Sequence, residues 1–77
     1  MSDPQPRTLF LFRSIHDVLA AERALKGAGI RPDLVPVPKE ISPNCGMAVA
    51  VAPEAGERAL AALGSNRPLT IVERWIP

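Results

Sequence analysis

"RPDLVPVPKEISPNCGMAVAVA", residues 31–52, contains two extended runs in succession. The first, RPDLVPVP (31–38), carries prolines at 32, 36 and 38. These lack the N–H that a central strand must donate, so the run predicts a strand at a sheet edge. The second, GMAVAVA (46–52), alternates larger and smaller side chains. Met47, Val49 and Val51 point one way, and Ala48, Ala50 and Ala52 the other.

Flanking segments complete the order. TLFLF (8–12) is aromatic-rich and apolar on both alternations, which reads as a central strand. A helix follows, with Ser14 as N-cap and Asp17 three residues later. Ile15, Val18, Leu19 and Leu25 are expected on its buried face. Glu22 and Lys26 form an i,i+4 pair on its solvent side. Gly27 or Gly29 supplies a left-handed exit. After the second extended run, Pro53 suits the first turn of another helix. Gly56, Ala59, Leu60 and Leu63 are its expected buried stripe, and Gly64 ends it. LTIVERW (69–75) is the last strand.

Strand, helix, strand, strand, helix, strand is the α+β, ferredoxin-like βαββαβ pattern: a four-stranded antiparallel sheet with two helices on one face. A right-handed crossover between the first two strands leaves a gap that the third fills. The opposite sheet face is expected to be uncovered. It is therefore a candidate contact surface for a second copy of the chain.

The chain has 77 residues, enough for one domain with one small core. Residues 1–6 read as a flexible tail and 7–77 as a single domain. A net charge of +1 with scattered arginines and lysines gives no track for a nucleic-acid backbone. The aromatic residues, Phe10, Phe12 and Trp75, are too few to interleave with one. No apolar run approaches the ~20 residues of a membrane span, so no membrane partner is expected. One cysteine cannot form an internal disulfide, and a free thiol suits a cytoplasmic location.

That cysteine, Cys45, sits between a turn-former and Gly46 at the end of a proline-stiffened loop. By topology this loop shares one end of the sheet with Ser14, Ile15 and His16, which open the first helix. A thiol near those free backbone N–H groups would have its thiolate stabilised. Gly46 either takes a backbone angle closed to other residues or lets a reacting group approach. Lys39 is a candidate for lowering the thiol pKa or holding an anion, and His16 for a general base. Ser14 is the cap. No CxxC or HxxxH is present, so neither a metal nor another cofactor is expected.

The segments FRSIHDVLAAERALKGAGI and LVPVPKEISPNCGMAV resemble the selenium/sulfur carrier-like small domain family, long described as a domain of unknown function. Glu22, Leu25, Gly29, Val35, Pro36, Pro38, Ser42, Cys45 and Gly46 carry the resemblance. Lys39 falls where the family commonly has arginine, which keeps the charge but loses a planar fork. The run after Cys45 is alanine-rich and lacks the basic residue often seen in the family's third strand. The resemblance implies a sulfur or selenium carrier that holds the atom on Cys45 and exchanges it with donor and acceptor proteins. Such a carrier is a substrate of enzymes rather than an enzyme. Two other readings stay open from the residues: a non-catalytic interaction or regulatory module with a structural cysteine, and a thiol redox sensor.

Overall fold

The computed structural model describes residues 6–37, 40 and 46–76. The expectations for the start of the tail, for Lys39 and for Cys45 lie outside the described residues. The elements are β1 (Arg7–Leu11), α1 (Ile15–Gly27), β2 (Asp33–Pro36), β3 (Met47–Val51), a 3-10 turn (Pro53–Ala55), α2 (Gly56–Leu63) and β4 (Thr70–Trp75).

The sheet order is β2-β3-β1-β4, with every neighbouring pair antiparallel. This is the ferredoxin-like arrangement. The proline-bearing β2 lies at an edge, where missing donors face no neighbour. Where a donor is present it is used: Val37 N–H, just past β2, donates to Gly46 O at 3.0 Å.

Strand register sorts the side chains onto two faces. Leu34, Val49, Phe10 and Ile71 form one row across the sheet, and Asp33, Ala50, Leu9 and Val72 the next. Phe10, Phe12, Val49 and Val51 join Val18, Ala21 and Leu25 of α1 and Ala59 and Leu63 of α2 in one buried cluster. Both helices thus cover the same face. The valine–alanine alternation of β3 falls as the sequence predicts.

Helix α1 is capped at both ends. Ser14 has extended backbone angles, and its Oγ accepts from Asp17 N–H at 3.3 Å. At the other end Gly29 takes φ +77°, Ile30 N–H donates to Leu25 O and Gly29 N–H donates to Lys26 O. That pair of bonds is the Schellman stop, and the left-handed residue is Gly29 rather than Gly27. The Glu22–Lys26 pair is present at 3.3 Å.

The buried face of α1 differs from the expected one. Val18, Ala21 and Leu25 are buried, whereas Ile15 is 42% and Leu19 41% exposed. At about 100° per residue, Ile15 and Leu19 lie to one side of the line through Val18 and Leu25, and Ala21 lies to the other. The helix is therefore rotated toward Ala21, which joins the core cluster. In α2, Ala59 and Leu63 are buried, Leu60 packs partly against the cluster and Gly56 is half-buried.

The sheet's second face is also not bare, which corrects the expectation of an uncovered surface. Leu9, Leu11, Val37, Ala48 and Ala50 are buried there, with Val35, Val72 and Trp75 packed against them. Arg7 also forms an ion pair with Asp33. The register puts both on this face, and the alanines of β3 leave room for the Arg7 side chain to pass over that strand.

No helix among the described residues is long and apolar enough to cross a membrane.

Candidate functional site

One end of the sheet gathers the C-terminal end of β1, the first turn of α1 and the base of the β2–β3 loop. The cause is register: Phe10 of β1 opposes Val49 of β3 in an antiparallel pair, so β1 finishes where β3 begins. Opposing Pro36 and Met47, with the Val37–Gly46 hydrogen bond beyond them, fix where the loop leaves and re-enters the sheet.

Ser14 is committed to its own helix, since its Oγ is engaged with Asp17 N–H. His16 is exposed at the second helical position. Asn66, just after α2, donates from Nδ2 to Asp17 O at 3.1 Å and ties the α2 exit to this same first turn. Glu40 is exposed. Among the described residues, no three metal-binding side chains gather into a set that could hold an ion. Cys45 and Lys39 lie outside the described residues, so the contacts expected of them are not part of this geometry.

Gly46 gives a definite answer to one question. Its φ is not in the left-handed region, unlike those of Gly29 and Gly64. A Cβ built on it would meet no heavy atom within 4 Å, and the residue is exposed. Backbone conformation therefore does not demand glycine here. Space is open where a side chain at this position would stand.

A second concavity lies at the other end of the sheet, which the sequence reading missed. Thr8, Phe10, Gly56, Leu60, Ile71 and three acidic residues, Glu54, Glu57 and Glu73, line a cleft of about 510 Å³ between α2 and strands β1 and β4. Glu54 and Glu57 flank the start of α2, a spacing visible in sequence. Glu73 joins them only through the pairing of β4 with β1.

No curated protein and no solved structure matches the chain significantly. The family model described as "Putative Se/S carrier protein-like" matches residues 7–71, from the start of β1 into β4 and across the loop that holds Cys45. On that match the chain belongs to the selenium/sulfur carrier-like family.

Proposed function

We propose that this protein carries a sulfur or selenium atom on Cys45. The observation that supports it most directly is that the family match spans the chain's sole cysteine. Open space beside Gly46, at the mouth of that loop, agrees with a thiol that another protein's reacting group must reach.

The chemistry needs no resident cofactor. The Cys45 thiolate attacks the outer sulfur of a donor persulfide, R–S–SH. A new S–S bond forms on Cys45, the donor's S–S bond breaks, and the donor leaves as R–S⁻. The product, Cys45–S–SH, passes the same atom to an acceptor thiolate by the reverse exchange. Atoms and electrons balance with no external oxidant, and selenium follows the same course. Single displacement by a nucleophilic thiolate requires access rather than an enclosed pocket. Ile15 and Leu19, exposed and one turn apart on α1, give apolar surface where a donor or acceptor would dock.

Intact-mass analysis tests the reading. The chain is incubated with a protein persulfide or perselenide donor, then with a thiol acceptor. Wild type should gain one sulfur or selenium atom and lose it to the acceptor, and Cys45→Ser should gain none. Equal loading of both proteins, or of neither, would reject Cys45 as the carrying atom.

A further inference from the structure

We infer that the cleft between α2 and strands β1 and β4 is a binding site for a small aliphatic amine, with the methylene chain on its floor and the ammonium group among its carboxylates. The floor is apolar, from Phe10, Leu60 and Ile71, and the rim carries Glu54, Glu57 and Glu73. Among the described residues, none of these three carboxylates is paired with a cation; the two ion pairs are Arg7–Asp33 and Glu22–Lys26. A volume of about 510 Å³ is in the range of small-molecule sites.

Two independent features point to an occupant. Thr8 is only 7% exposed, lines the cleft, and has no side-chain hydrogen-bond partner among the described residues. No buried side-chain oxygen among the described residues lacks a partner, so this hydroxyl opens onto the cleft, where an ammonium N–H can donate to it in place of water. The second feature is Gly56. It opens α2 with helical angles of φ −57° and ψ −47°, where alanine is the better helix former. A Cβ there would sit 3.8 Å from Thr8 Oγ1, an ordinary contact that the fold tolerates. Glycine is therefore not required by backbone strain or by crowding, and what its missing methyl preserves is room in the cleft beside the hydroxyl.

Charge selects the ligand class. Three carboxylates outweigh the roughly half-unit positive charge of a helix N-terminus, so the mouth favours a cation. An ammonium on a flexible chain fits both the rim and the floor, whereas a wholly polar cation would leave the floor unused. The site is at the opposite end of the sheet from the Cys45 loop and does not depend on chalcogen transfer.

The experiment is an amide NMR titration of the full chain with 1,5-diaminopentane, and with 1,5-pentanediol as its uncharged counterpart. The diamine should give saturable shifts confined to Thr8, Gly56, Glu57, Ile71 and their neighbours, and the diol should give none at matched concentration. Glu73→Gln should weaken diamine binding by about tenfold, the effect of removing one charged hydrogen-bond acceptor. Gly56→Ala should raise the melting temperature while also weakening binding, a combination that a purely structural glycine would not produce. Shifts spread equally over Asp17, Asp33 and the cleft, equal shifts with the diol, or unchanged affinity in Gly56→Ala would each overturn the assignment.

Discussion

Val72 and Trp75, three residues apart on β4, pack against the same face of the sheet. Simple alternation would put them on opposite faces. Pairing explains the result: Leu9 opposes Val72 and Arg7 opposes Trp75, so two residues, Glu73 and Arg74, stand against Thr8 alone. This is a β-bulge, and Arg74 absorbs it at φ +58°. The chain's single tryptophan is thereby turned onto the cluster of Leu9, Leu11, Val37, Ala48 and Ala50.

We expect Arg74→Gly to stabilise the fold by roughly 0.5–1 kcal/mol, because glycine occupies the left-handed region without steric cost. Arg74→Val should destabilise it by about 1–2 kcal/mol for the opposite reason. Denaturant melts followed by Trp75 fluorescence measure both. A less stable glycine variant would show that the Arg74 side chain makes a contribution larger than the backbone strain.

Core position, rather than hydrophobicity, should rank the leucines of α1. Leu25 is fully buried and Leu19 is 41% exposed. Leu25→Ala should cost ~2–5 kcal/mol by loss of buried surface and creation of a cavity. Leu19→Ala should cost under about 1 kcal/mol. Equal losses in a urea melt would contradict the observed rotation of the helix.

The first turn of α1 is held from two directions, by the Ser14 cap and by Asn66. Ser14→Ala is expected to cost ~1 kcal/mol through the uncapped Asp17 N–H. Asn66→Ala is expected to cost about 0.5–1.5 kcal/mol through its bond to Asp17 O. Hydrogen exchange should show faster opening at residues 15–18 in both variants, and unchanged protection there would refute the tether.

Glycine substitutions separate conformation from access. Gly29→Ala should destabilise by ~1–2 kcal/mol, since φ +77° lies in a region that residues with a β-carbon rarely adopt. Gly46→Leu should leave stability within about 0.5 kcal/mol, because nothing crowds the position and its φ is ordinary. If the open side of Gly46 admits donor proteins, the same variant should load sulfur or selenium more slowly in a mass-resolved time course. A folded Gly46→Leu protein that loads at the wild-type rate would remove access as the reason for glycine.

Local chemistry determined much of this protein directly from sequence. Ser14, Gly29, Pro36 and the β3 alternation act through backbone donors, allowed φ angles and a two-residue period, which involve only neighbours in the chain. They set the element order, and the order leads to the sheet topology through the handedness of crossovers. The loop bearing Cys45 and the start of α1 therefore share one end of the sheet by topology alone. Other features depend on fit between elements distant in sequence. Rotation of α1 toward Ala21 shows only in the packed cluster with Phe10 and Val49, because Ile15 and Leu19 are as apolar as the residues that are buried. The face of Trp75 was set by a bulge against β1 that no periodicity in LTIVERW reveals. Packing of Val35, Val72 and Trp75 on the second sheet face likewise joins three strands that no single stretch of sequence shows together. The acidic cleft formed only when β4 paired with β1 and brought Glu73 to the start of α2, because charges more than fifteen residues apart meet through tertiary packing rather than through sequence spacing.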